Sequence, residues 1–469
     1  MKKGCNFMEY INPLGKDRVS RLLIRFSVPA IVGMMVNALY NVVDMIFIGN
    51  AKDIGSNGLA GITIGFPIMI ILMSMGVLFG VGGATLFSIR LGQGRQREAK
   101  EALGNTFVLL TIAGLLFLIL GQTFLIPILN FFGASSTVLP YAVEYMRVIF
   151  FGAVFQIVGV GLNNFIRADG NPKIAMLSMF LGAGLNTILD PIFIFALNMG
   201  MRGAALATII SQSVSCIWVV SYFLGDRSRN KLKLKYMKVK FHIFTRITSL
   251  GMPDFLLQLA NSLLHILINK NLLLLGGDIA VSGMGIINSI QTLLVMPILG
   301  IKQGAQPIIS FNYGAKKYSR VKKTTWLAIM AATGIVLSSY LATRFFPVQI
   351  ISLFNREEDL LRFGTYAIRT WFLFFPFVGF QIIASNFFQA IGRSKVAMAL
   401  TLTRQVILLI PAIIVFSKIW GLEGLLYARP FSDLFTAIIT GISFYFAYKD
   451  LEKIGERDYL KNSRRQIKK

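Results

Sequence analysis

Thiol and imidazole chemistry is almost missing from this chain of 469 residues, which carries two cysteines, Cys5 and Cys216, and two histidines, His242 and His265. That scarcity excludes a disulfide framework, a cysteine metal cluster and an enzyme built on a constellation of His and acids. No phosphate-cradling loop, zinc-ligand spacing or nucleophile elbow occurs, so ATP hydrolysis falls away, no enzyme activity is expected and no organic cofactor is implied. Acids are short as well: 21 Asp and Glu stand against 47 Lys and Arg, a formal net charge of +26. In a soluble chain that excess would point to nucleic acid. Here only 14% of residues are charged, 55% are hydrophobic and the mean hydropathy is +0.66.

The abundance lies in apolar runs. A bilayer crossing takes about 20 of them in helix, and twelve stretches qualify, approximately 22–48, 61–87, 103–125, 141–162, 174–197, 204–224, 247–275, 281–309, 325–342, 366–388, 396–416 and 424–448. Connectors are mostly short, leaving no room for a soluble catalytic domain. The basic lead-in runs straight into a full-length span without a small-residue cleavage site, so no removable signal is expected. With twelve spans, one side receives Lys16, Arg18, Arg21 and Arg25, Arg90 to Lys100, Arg167, Lys173, the central loop, Lys316 to Lys323, Arg393 and the tail. The other receives only Lys52, Arg202, Lys270, Arg344, Arg356, Arg362 and Lys418. This is the positive-inside bias: both termini are expected in the cytoplasm of a plasma-membrane protein, with the basic residues facing anionic headgroups and no nucleic-acid partner.

The chain is also a repeat. Sliding its second half over its first by about 220 to 224 residues aligns Pro29 and Asn37 with Pro253 and Asn261, and Gly82, Ser88 and Gly92 with Gly304, Ser310 and Gly314. NFIRADG ending at Gly170 meets NFFQAIG ending at Gly392, and Gly200, Gly203 and Ala207 meet Gly421, Gly424 and Ala428. The expected organisation is an N-terminal six-helix bundle (1–225), a basic linker (226–246) and a C-terminal six-helix bundle with a basic tail (247–469). Six spans per unit is even, so the halves share one topology about an axis along the membrane normal, an arrangement common in transporters. The fold class is thus an all-α integral membrane protein of twelve transmembrane helices in two pseudo-symmetric bundles.

The halves differ in acids. Asp44, within YNVVDMIFIG, and Asp190, within LNTILDPIFIF, sit in spans 1 and 5, where a carboxylate is costly and points to ion or substrate handling. Their repeat positions hold Ile268 and Ile410 or Pro411, so the acids are expected in the first bundle alone. Asn37, Tyr40, Asn41 and Asp44 form one stripe at i, i+3, i+4 and i+7; Asn186 precedes Asp190 by one turn, and Pro191 follows it. Tyr145 and Thr208 fall at the same depth and are expected in the same chamber. Glu144 and Arg147, at i and i+3, are expected to pair, as are Arg429 and Asp433 at i and i+4. His265, Lys302, Arg404 and Arg429 are unusual at membrane depth.

These features together resemble a multidrug and toxic compound extrusion (MATE) transporter, and are most similar to the bacterial branch related to DinF. The likeness covers nearly the whole chain: the two bundles, the first span with Pro29 and VDMIFIG, GQG at residues 92–94 and NNFIRADGNPK before span 5. It implies export of amphipathic, often cationic drug-like compounds by alternating access, driven by H+ or Na+. It also implies an ion site at Asp44, Asn186, Asp190 and Thr208, where Na+ would be held, with Tyr145 and Asn163 in the associated polar network and a monomer as the working unit. The sodium-coupled NorM branch carries acids in spans 7 and 10, where this chain has Ser262 and Val378. A rival with the same architecture is a flippase of lipid-linked sugars or peptidoglycan precursors, which would need a basic cavity; Lys302, Arg404 and Arg429 are its candidates.

Overall fold

In lipid every backbone N–H and C=O must find a partner within its own segment, so uncharged apolar runs of this length have helix as their outlet. The computed structural model of the protein describes residues 13–49, 55–354 and 357–467, and helix is the only regular structure among them. Lys2, Lys3, Cys5, Lys52 and Arg356 lie outside the described residues, as does the side chain of Asn41.

The first half comprises α1 (Val19–Gly49), α2 (Gly55–Gly92), α3 (Gln96–Thr123), α4 (Leu139–Ala168), α5 (Pro172–Pro191) with a π turn at Ile192–Ala196, and α6 (Gly200–Leu224). The second begins with α7 (Phe241–Gly277) and α8 (Ile279–Gly314), continuous but for a break at Gly277, followed by α9 (Tyr318–Phe345). Then come α10, bent by 49° between Glu358–Trp371 and Pro376–Ala390, and a 61-residue stretch, Ser394–Ile454. A straight helix of that length would reach about 90 Å, twice the bilayer with its headgroups. It turns back at Gly421, whose φ of 60° and ψ of −135° only glycine tolerates, giving α11 (394–420) and α12 (422–454). Twelve crossings result.

The repeat read from sequence recurs in backbone geometry. Gly170 and Gly392 both have positive φ (101° and 83°), as do Gly200 and Gly421 (57° and 60°) and Gly94 and Lys316 (74° and 59°). Each half has its own apolar core. One is built from side chains between Ile62 and Leu250, among them the fully buried Phe87, Tyr145, Phe150 and Phe165. The other lies between Leu264 and Leu451, around Phe372, Phe387 and Phe388, and takes in Leu23 of α1. The linker is strapped to the first bundle. Asn105 donates to Tyr236 O and Lys238 O and accepts from Lys240 N, while Lys240 Nζ lies 2.7 Å from Glu101. Beside it the Asp169 carboxylate accepts hydrogen bonds from Tyr222, Ser228 and Asn230 at 2.7–2.9 Å; burial nonetheless pushes that carboxyl above the usual range.

The two bundles meet at the end that carries most of the basic residues. A Cβ built on Gly251 of α7 would lie 1.8 Å from Leu78 O, one on Gly82 of α2 2.0 Å from Ile247 O, one on Gly92 2.0 Å from Phe311 O and one on Gly314 of α8 2.1 Å from Ile89 O. Gly300 and Gly304 press on Ile31 and Ser27 of α1 in the same way. Small residues let backbones approach closely where the hydrophobic effect does not drive helices together. Gln306 donates across the seam to Thr85 Oγ1 at 2.8 Å. A short helical turn, Pro13–Lys16, closes over it: Leu14 O accepts from Asn312 and Arg320, and Gly15 O from Lys317 Nζ. Leu14, Leu22 and Phe26 join Ile308 and Phe311 in a small apolar plug. The bundles are therefore sealed at their basic end.

Candidate functional site

Away from that seal, near the far ends of α1 and α5, the two predicted acids come together. Asn37, Tyr40 and Asp44 recur on one face of α1, each half-buried. On α5, Asp190 is fully buried and Asn186, one turn earlier, donates from Nδ2 to Asp190 Oδ1 at 3.1 Å. Pro191 has no N–H to return to the preceding turn, and the helix widens: Leu197 N reaches back five residues to Ile192 O at 2.9 Å. The Asp44 and Asp190 carboxyls lie within hydrogen-bonding reach of each other, with Tyr40 alongside. From α4, the fully buried Tyr145 reaches the hydroxyl of Thr208 on α6, which itself donates to Ala204 O at 3.0 Å.

Several buried acceptor oxygens without a donor gather at this site. Asp44 Oδ1, Asp190 Oδ2 and Asn186 Oδ1 are buried and receive no donor from any described side chain or amide. A hydrogen bond from one carboxyl to the other needs a proton. Two carboxylates facing each other in a low-dielectric site repel strongly, and a positive charge between them removes the repulsion. The surplus of acceptor oxygens suits a hard monovalent cation equally well.

Asn163 stands elsewhere. Its amide donates to Ala175 O and Ser178 Oγ and accepts from Arg167, about two turns along α5 from Asn186 toward the basic end. Arg167, expected among the exposed end charges, is buried and held by Asn163 and Asn164 against the seam. Glu144 pairs with Arg202 at 3.0 Å rather than with Arg147: the helix-to-helix partner at the turn into α6 outcompetes the neighbour on its own helix.

The expectation that membrane-embedded acids are confined to the first bundle is corrected. Asp254 of α7 is buried and bound to Lys302 of α8 and to Gln389 of α10, at 2.9 Å from its Nε2. Asp433 of α12 is buried between Arg404 of α11, at 2.9 Å, and Arg429, at 3.3 Å. The first of these acids was hidden because its partner lies 48 residues away. Its one local signal is an acid directly after Pro253, within a span.

The repeat is also visible in comparison with known proteins. The MatE family description matches residues 29–192 and again 253–414. The chain belongs to the MATE family. Its members are transporters and not enzymes, and this chain is accordingly a multi-pass membrane protein. Among curated proteins it is similar to the multidrug export protein MepA of Staphylococcus aureus, 26% identical over 92% of this chain and 94% of that one. Among solved structures it is similar to the MATE multidrug transporter DinF-BH, at 38% identity with a TM-score of 0.86, over 92% of this chain and 96% of that one. A second, described as an outward-facing multidrug resistance MATE family transporter, aligns with a TM-score of 0.87 at 26% identity, over 94% and 98% of the two chains.

Proposed function

We propose that this protein exports amphipathic, cationic small molecules across the plasma membrane in exchange for H+ or Na+, through alternating access of the cleft between its two bundles. The single observation that carries the reading is the pair of donorless carboxyl oxygens on Asp44 and Asp190, backed by Asn186 Oδ1. A buried net negative site attracts either the coupling ion or a cationic compound, and occupancy by one disfavours the other. For a sodium ion the oxygens of Asp44, Asn186, Asp190 and Thr208 are the ligand set; for protons the two carboxyls are the carriers. The seal at the basic end supports an outward-open state if that end faces the cytoplasm, as the charge bias implies.

The exchange reading is tested by ethidium efflux from cells expressing the protein, with the proton and sodium gradients collapsed separately. Efflux is expected to stop when one gradient is removed, and to be lost in Asp44→Asn and Asp190→Asn while both variants remain folded in the membrane. Full efflux by either variant refutes the assignment. The flippase alternative is less well supported, since Lys302 is paired with Asp254 and Arg404 and Arg429 share Asp433, which leaves one net positive charge instead of the strongly basic cavity a pyrophosphate calls for.

A further inference from the structure

The cluster in the second bundle does not balance. Arg404 and Arg429 share one carboxylate, Asp433, which leaves one net positive charge inside the bundle. Arg404 places Nε and Nη2 both 2.9 Å from Asp433 Oδ1, but only the Nε–H is aimed at it; Nη2 makes no directed hydrogen bond among the described residues. One turn past Asp433 on the same face of α12, the hydroxyl of Thr436, 2% exposed, also has no partner among the described residues. Arg429 spans the space between Asp433 and the ring of Trp371, 5.7 Å from its centroid, and its side chain keeps 11% exposure. Arg404 Nη2 has a carboxylate oxygen near it but off line, and a bound anion would supply the directed acceptor that its outer N–H lacks.

The position is not arbitrary. Matching Ala207 with Ala428 places Thr208 of the acidic cluster opposite Arg429, and Asn37 of α1 opposite Asn261, which accepts from Gln405 beside Arg404 at 2.9 Å. Arg429 of the second-bundle cluster thus stands at the repeat position of Thr208, while the positions that match Asp44 and Asp190 hold Ile268 and Ile410 or Pro411. We propose that Arg404, Arg429 and Thr436, arranged around Asp433, form a binding site for a singly charged anionic group, either the carboxylate of a zwitterionic amphiphile or a free chloride ion.

The carboxylate arm rests on the export reading; the chloride arm does not. Rhodamine 110 and its methyl ester rhodamine 123 differ only in a carboxylate, and their binding to the purified protein is followed by fluorescence polarisation. Arg429→Gln and Arg404→Gln each leave a neutral ion pair behind, so both are expected to fold. Loss of one charged hydrogen-bond donor is expected to weaken rhodamine 110 by about tenfold or more, with rhodamine 123 changed less than about twofold and Arg429→Lys retaining most of the affinity. In parallel, chloride is replaced by isethionate at constant ionic strength. If the site takes the free ion, the acid and ester dyes behave alike, while the exchange lowers the thermal midpoint of the wild type and leaves Arg429→Gln unmoved. Both dyes weakened equally without a chloride-dependent midpoint in the wild type, or no difference between wild type and variants in either arm, overturns the proposal. Failure of the wild type to bind either dye counts against export of such compounds and leaves the chloride arm to decide the site.

Discussion

Gly251→Ala isolates the seam between the bundles. In a helix interior alanine is favoured over glycine by about 1 kcal/mol, so on local grounds the variant should be the more stable. The added Cβ, however, would lie 1.8 Å from Leu78 O, about 1.2 Å inside the closest approach that packed atoms adopt. The obstacle is backbone, which cannot swing aside as a flexible side chain would. Overpacking of this kind costs about 1–3 kcal/mol, and the cost falls only on the state in which α2 and α7 touch. The equilibrium should therefore move toward opening at the basic end by roughly 5- to 150-fold, at about 1.4 kcal/mol per tenfold change. Ser88 reports it: it is 1% exposed and lines the seam with Gln306 and Ser310. With Cys5 and Cys216 replaced by serine, the labelling rate of Ser88→Cys by a polar maleimide tracks the open fraction. Gly334→Ala, where a Cβ meets nothing within 4 Å, is the control expected to change nothing. Equal labelling in the Gly251→Ala and Gly334→Ala backgrounds would refute the assignment of this contact as the seal.

Asp433→Asn should be far more damaging than Arg429→Gln, because it strands two guanidiniums; breaking a buried pair on one side costs about 3–5 kcal/mol, measurable as a lowered unfolding midpoint in detergent. Asp254→Asn strands Lys302 in the same way, and the double change Asp254→Asn with Lys302→Met should recover much of the loss; a double variant no better than the single one would show that the pair is not the cause. Asp169, outside the membrane, supplies a pH dependence: its folded carboxyl sits above its unfolded value, so the folded state binds more protons between the two and stability from this group falls as pH rises from about 4 through that window. Asp169→Asn should flatten that slope of the thermal midpoint against pH, and an unchanged slope would assign it to other groups.

Length, hydropathy and repeat spacing were sufficient to determine twelve crossings and two equivalent halves, because a bilayer allows few alternatives to a helix of about 20 residues; that the chain turns at Gly277 and Gly421 and bends within α10 was left to the structure. The same local rules brought Asn186 beside Asp190 and Arg429 beside Asp433, both one turn apart, and depth along the spans put Asp44 level with Asp190. Periodicity carries no information on which helix faces which. Only the tertiary packing decided that Asp254 takes Lys302 as its partner, that Arg404 joins Arg429 on Asp433, that Glu144 turns to Arg202, and that Asn163 serves the basic end of α5 instead of joining the acids. The seal was equally hidden: Gly82, Gly92, Gly251 and Gly314 are legible as small residues in any reading of the chain, but which backbone each admits depends on how two complete bundles are set against each other.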